Sequence, residues 1–272
     1  MLRFLRSALH MLFLVVTVIP WSLAGIALSP FVSKAWLYRF CRVWLRMAAV
    51  SAGPLLGIGT RVHGLENLPG GAQPVVLLSK HQSALETFLL PTLVPHPLAY
   101  VFKRELTRIP FFGWIMARLD MVQIDRGQPA EAFARVVSQG RRLLGQGVWI
   151  IMFPEGTRIA RGQRGKYRSG GARLAIECGA LVVPVAVTSA RCWPPRAFIK
   201  SPGIVDVAFG PPIASQGRKA DELMREVEGW IEAEMQRLDP QAYAGAAAEA
   251  AGSAESVESA ESGNAGAHDA SR

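Results

Sequence analysis

The sequence predicts an α/β fold whose sheet is covered by helices on both faces. Three observations carry that reading. Short apolar runs of buried-strand type recur at residues 74–79 (PVVLLS), 148–153 (VWIIMF) and Leu181–Val187 (LVVPVAV), with a weaker one at 205–209. Segments of helical period alternate with them, at residues 129–144, 169–178 and, most clearly amphipathic, 218–238. Half of the 272 residues are apolar and 19% are charged, enough for a core and too few charges for a wholly disordered chain.

The N-terminus comes first in chain order. Residues 7–33 contain no Asp, Glu, Lys or Arg. As a helix, residues 8–31 would be about 36 Å long against a hydrocarbon core of roughly 30 Å, so the segment can span or deeply enter a bilayer. A cleavable signal peptide competes, but its apolar region would be shorter, and here the run continues past Ala24 to Phe31. Pro20, Gly25 and Pro30 are positions at which the run can bend into a half-inserted hairpin. Residues 34–50 follow as a helix that interleaves Lys34, Arg39, Arg42 and Arg46 with Trp36, Phe40 and Trp44, a mixture suited to the headgroup layer. The heavier basic flank lies after the apolar run and puts the main domain on the cytoplasmic side of the membrane. Three parts result: a membrane-inserting helix pair at 1–52, a main domain at 53–240, and an Ala/Ser/Glu-rich tail at 241–272 that lacks the large apolar residues a core needs.

The formal charge is +9, and the tail's net −4 leaves +13 for the rest. So basic a body expects an anionic partner, whether phospholipid surface, phosphorylated substrate or nucleic acid. Cys41, Cys178 and Cys192 are scattered and have no histidine near them, so neither a disulfide framework nor a structural zinc site is signalled. No serine stands in a Gly-x-Ser-x-Gly elbow, Tyr167 replaces the hydroxyl residue of a phosphate loop, and Val62 stands where a dinucleotide fingerprint needs glycine.

Two constellations remain. His81 directly follows the first buried strand, with Glu86 five residues on. On one straight helix the two side chains would diverge by about 140°, but they meet if His81 sits in the loop and Glu86 in the first helical turns. A carboxylate there fixes the imidazole tautomer and leaves the other nitrogen outward as a base. The second, residues 153–158 (FPEGTR), leaves another buried strand and carries Gly156, which allows close backbone approach, and Arg158, whose planar fork suits phosphate. Between Arg158 and Arg173 stand six bases and no acid, with Tyr167 the lone aromatic, which suits single-stranded nucleic acid poorly. His63 and Glu66, beside a Pro-Gly-Gly turn, read as surface structure.

In order, His-x4-Glu at 81–86, Lys103-Arg104-Glu105-Leu106 with Ile109-Pro110-Phe111-Phe112-Gly113-Trp114, FPEGTR at 153–158 and Val182-Val183-Pro184-Val185 resemble the glycerolipid acyltransferase family, most closely its 1-acylglycerol-3-phosphate acyltransferase branch. Ile124-Asp125-Arg126 is similar too, and the likeness covers roughly residues 61–212. It implies an αβα sandwich with a mixed central sheet, preceded by a two-helix membrane motif. The implied reaction moves a fatty acyl group from acyl-CoA or acyl-carrier protein to the sn-2 hydroxyl of lysophosphatidic acid, in phospholipid biosynthesis. In that scheme His81 is the general base and Glu86 orients it. Arg158, Lys103 and Arg104 hold the phosphate; Glu155, Gly156 and Thr157 shape the pocket; residues 182–185 line an acyl groove. The thioester is a co-substrate, no metal or bound cofactor enters, and the partners are the inner membrane, a lysophospholipid and the acyl donor, not nucleic acid. One departure stands out: the family's usual Asp is Glu86 here. Glycerol-3-phosphate, another lysophospholipid or a lyso-aminolipid are alternative acceptors, and a non-catalytic basic membrane-surface protein is the alternative outside the class.

Overall fold

The computed structural model describes residues 1–124 and 129–244. Seven strands build one sheet: β1 (Ile58–His63), β2 (Val75–Ser79), β3 (Leu98–Lys103), β4 (Val122–Ile124), β5 (Trp149–Met152), β6 (Leu181–Val187) and β7 (Gly203–Phe209). Their spatial order is β1-β7-β6-β2-β5-β3-β4. All neighbours are parallel except β6 and β7, so the sheet is mixed, as the resemblance implies. β2 lies at the centre, every residue buried, registered with Ile150 on one side and Val182 on the other through Val76. That position explains why it reads as an uninterrupted apolar run rather than an alternating one.

Three helices, α5 (Pro129–Gly145), α6 (Gly170–Cys178) and α7 (Ala220–Leu238), pack side by side against β4, β5, β2 and β6. Leu78 of β2 meets Gly171 of α6, where a Cβ would stand 2.5 Å from its methyl; only glycine allows so close an approach. The other face carries α1 (Leu2–Leu28), α2 (Lys34–Leu56), α3 (Leu85–Leu93) and the short α4 (Phe112–Met116).

Helices α1 and α2 lie antiparallel. Ser33 caps α2 by accepting the Trp36 N–H at 3.2 Å, and Gly57, at φ 74°, ends it past Pro54. The run continues as helix through Pro20 and Gly25, and the chain reverses only at residues 29–33, around Pro30. By length and composition α1 suffices to cross a membrane, with mean hydropathy 2.3 over its most apolar stretch. Its pattern is inside-out. Ser7, His10, Ser22 and Gly25 face inward, whereas Leu2, Leu5, Leu9, Leu12, Val16 and Leu23 are exposed at near-heptad spacing. The body grips it along its whole length: Arg6 Nε donates to the Leu55 carbonyl at 2.7 Å, Ser7 Oγ accepts the Lys200 N–H at 2.9 Å, Thr17 Oγ1 accepts Trp44 Nε1–H at 3.1 Å, and Gly25 abuts Ile115.

The structure differs from the sequence reading at short elements and at one side-chain pair. β1, β3 and β4 are strands that periodicity did not announce. β1 (IGTRVH) is a polar edge, β4 has three residues, and β3 is preceded by prolines at 95 and 97. His63 finds its partner in Asp206 of β7, 3.1 Å away, rather than in Glu66. Beyond α7 a further helical turn runs through residue 244 and buries Tyr243, so packed chain extends past the boundary expected at 241. Residues 125 and 126 of the Ile124-Asp125-Arg126 pattern, and 245–272 of the tail, lie outside the described residues.

Candidate active site

The carboxyl ends of the parallel strands β2, β5 and β3 open on one crevice, where open α/β sheets bind ligands. His81 stands just past the end of β2, and α3 begins at Leu85, putting Glu86 in its first turn. The carboxylate folds back on the helix's own entry. It accepts the N–H of Gln82 at 2.7 Å, the N–H of Ser83 at 2.9 and 2.8 Å on its two oxygens, and the hydroxyl of Ser189 at 2.7 Å. Gln82 and Ser83 lie just ahead of the N-cap Ala84, and the dipole of the helix N-terminus favours the negative charge. Ser189, which follows β6 and is fully buried, carries no motif and was not legible in the sequence.

His81 Nδ1 is 3.9 Å from Glu86 Oε2, beyond hydrogen-bond length, and is buried without another partner. Phe153 stacks on the imidazole at 3.9 Å between centroids and 19° between planes. The ring is therefore fixed in its plane with one nitrogen turned toward Glu86, while the residue borders the cavity. Burial, with the charge of Arg158 second, pushes the imidazole down to about 3, so it is neutral at physiological pH, the form a base requires. Burial pushes the Glu86 carboxyl up to about 7, against the hydrogen bonds from Gln82, Ser189 and Ser83 that favour its ionised form.

The FPEGTR loop leaves β5, the neighbour of β2. Glu155 does not border the cavity. Its Oε2 accepts the His81 N–H at 2.8 Å, while the Ile159 N–H donates to the His81 carbonyl at 2.8 Å, so the loop clamps the histidine's main chain from both sides. Gly156, at φ 66°, makes the turn that brings itself, Thr157 and Arg158 to the cavity wall. Lys103, at the end of β3, reaches the same wall. Arg104 does not: it belongs to the 3-10 turn Arg104–Arg108 and lines a separate hollow of about 390 Å³ with Glu105, Thr107 and Arg108. Three further bases do border the main cavity. Arg168 and Arg173 belong to the acid-free run already noted in the sequence. Arg196, held at φ 61° in the left-handed region, gave no signal.

The cavity measures about 1260 Å³ and has two characters. Lys103, Arg158, Arg168 and Arg196 supply cations to its wall, and none of them makes an ion pair within the described residues. The rest is apolar, built from Leu14 and Trp21 of α1, Trp44 of α2, Phe88 of α3, Tyr100 of β3 and Ile115 of α4. Residues 182–185 take no part in it. They are a central strand packed between β2 and β7, entirely buried in the core, which corrects the groove-lining role that the resemblance gave them. Among the described residues no three His, Cys, Asp or Glu side chains gather as a metal site.

Such an arrangement can do one kind of work. A neutral, oriented imidazole borders a cavity that can hold an anionic group and a long apolar chain together. Comparison with known proteins agrees. Residues 59–188 match the family model described as Acyltransferase. A 1-acyl-sn-glycerol-3-phosphate acyltransferase of Pseudomonas aeruginosa is 38% identical over 240 residues, 87% of this chain and 92% of that protein. A chloroplastic 1-acyl-sn-glycerol-3-phosphate acyltransferase of Arabidopsis thaliana is 30% identical over 203 residues, 74% of this chain and 52% of that one. The crystal structure of the 1-acyl-sn-glycerophosphate acyltransferase of Thermotoga maritima superposes with a TM-score of 0.71, covering 87% of this chain and 97% of that chain at 20% identity, a likeness of fold. By these matches the chain belongs to the acyltransferase family, in which the 1-acyl-sn-glycerol-3-phosphate acyltransferases stand.

Proposed function

We propose that this acyltransferase transfers a fatty acyl group from an acyl thioester to the sn-2 hydroxyl of lysophosphatidic acid, giving phosphatidic acid and a free thiol. The observation that carries the reading is the position of His81, on a cavity whose wall combines cations that are unpaired among the described residues with apolar side chains. The acceptor's phosphate binds Arg158 and Lys103, which border the same cavity as Arg168 and Arg196, and its hydroxyl meets the imidazole. His81 takes the hydroxyl proton as the oxygen attacks the thioester carbonyl. When the tetrahedral intermediate collapses, the carbon–sulfur bond breaks and the imidazolium returns its proton to the thiolate. Glu86, 3.9 Å away, stabilises the imidazolium by closing to hydrogen-bond length. Bound phosphate also offsets the Arg158 charge that depresses His81, so the acceptor itself raises the basicity of the group that activates it. A coenzyme A or carrier-protein thioester serves as donor, and the scheme needs no metal or bound cofactor.

The helix pair sets this chemistry at a membrane. Because the body holds both ends of α1, we read the pair as lying in one leaflet, its exposed leucine and valine stripe among acyl chains, rather than crossing. The cytoplasmic face of the inner membrane is the expected side. The test is stoichiometry: purified full-length protein in detergent, given acyl-CoA and lysophosphatidic acid, should release one thiol per phosphatidic acid formed. Thiol release without a new ester would count against acyl transfer to this acceptor.

A further inference from the structure

Lys80 precedes His81 and is completely buried. Its ammonium lies 2.7 Å from Glu155 Oε1, 2.7 Å from Glu232 Oε1 and 3.3 Å from the Gln163 carbonyl. The Tyr167 hydroxyl donates to the same Glu232 oxygen at 2.7 Å. Burying an ammonium is costly unless carboxylates pair with it, and removing one partner leaves a buried charge uncompensated. Glu155 depends on it in turn, since burial raises the Glu155 carboxyl and the nearby Lys80 charge draws it back. The other Glu155 oxygen takes the His81 N–H. A continuous chain of contacts therefore runs from α7, through Glu232, Lys80 and Glu155, to the main chain of His81.

Neighbouring tethers keep that chain in place. Glu228 and Glu232, four residues apart, share one face of α7, and Asp239 follows as its C-cap. They hold Arg164, Lys80 and Arg161, so α7 and its C-cap fasten the loop after β5 at two points and the end of β2 at a third. Lys80, Glu155 and Glu232 all stay off the cavity wall. A role in ligand contact is thereby ruled out, and a role in placing His81 is left.

We propose that Glu232 and Lys80 are positioning residues for acyl transfer, fixing through Glu155 the main chain of His81 and hence the aim of its imidazole. The proposal rests on the reading of His81 as the base. Misplacing a reacting group by an ångström can lower the rate about 10²-fold, so loss of this support falls on kcat. The test uses the full-length protein in detergent with acyl-CoA and lysophosphatidic acid. Glu232→Leu is expected to lower kcat by about tenfold or more and to leave the acceptor KM within about twofold. Glu232→Gln keeps an oxygen acceptor for Lys80 and Tyr167, and is expected to rescue kcat to within about threefold of the parent. In a His81→Ala background, Glu232→Leu should lower the residual rate no further, because its effect passes through the missing ring. Equal losses in both backgrounds, or a raised KM with kcat unchanged, would overturn the positioning role and leave His81 standing. A fully active His81→Ala protein would overturn the base itself and this proposal with it. Should the leucine variant fail to fold, Glu232→Asp withdraws the carboxylate by one methylene and carries the test. A kcat loss of about threefold or more at unchanged KM then supports the role, and parental kinetics overturns it.

Discussion

His81 is held from two sides by two buried glutamates that do different work. On the ring side, Glu86 is satisfied by neutral donors, two main-chain N–H groups and a serine hydroxyl, and among the described residues no basic side chain is hydrogen-bonded to it. On the main-chain side, Glu155 is paired with Lys80 and linked through it to α7. The contrast follows from what each must respond to. A carboxylate that stabilises a transient imidazolium loses its effect if a permanent cation already neutralises it, whereas one that holds a peptide N–H gains rigidity from such a cation. The bases of the neighbouring loop divide the same way. Arg164 pairs with Glu228 of α7 and Arg161 with Asp239 just past its end; Arg158 and Arg168 border the cavity and make no ion pair among the described residues.

Removing what both sides hold should have the largest effect. His81→Ala is expected to lower kcat/KM by roughly 10²–10⁴-fold, measured as phosphatidic acid formed, with membrane association unchanged. Glu86→Gln tests the ring side alone and should reduce kcat about 10²-fold, because the amide cannot stabilise the imidazolium. The same variant sharpens the contrast through pH. Burial holds the Glu86 carboxyl at about 7, so its carboxylate is present above that value and lost below it. Parental kcat/KM should therefore climb as pH rises through about 7. The climb should vanish in Glu86→Gln, and a rate–pH series from 5 to about 9 reads both. Arg158→Ala should raise KM for lysophosphatidic acid about tenfold and change phosphate-free acceptors little; equal loss on both would deny it the phosphate role. The smallest effect belongs to the chain end. Cutting after residue 244 should alter neither rate nor melting temperature. Cutting before 241 removes buried Tyr243 and about 2 kcal/mol, a melting shift of about 5 °C.

How much of this is legible in the sequence depends on whether neighbours in space are neighbours in the chain. The central strands β2, β5 and β6 announce themselves because burial on both faces demands continuous apolar runs. His81 and Glu86 are legible because five residues span a loop and one helical turn. The edge strands were not, since half-exposed or very short segments carry no such signature. Long-range partners were hidden for the same reason. Ser189 is 103 residues from Glu86, and Glu232 is 152 from Lys80, so nothing local marks either pair. Glu155 shows the limit most clearly. Its motif pointed to the right loop, yet its side chain grips the main chain of His81 instead of facing the cavity.

The most direct test of the account is a side-by-side measurement of product with purified full-length protein and its His81→Ala variant. Each would receive acyl-CoA and, separately, lysophosphatidic acid, glycerol-3-phosphate and lysophosphatidylcholine. The account predicts phosphatidic acid from lysophosphatidic acid alone, lost in the variant. Acylation of the choline lipid in preference to the phosphate monoester, or an undiminished rate without His81, would contradict it.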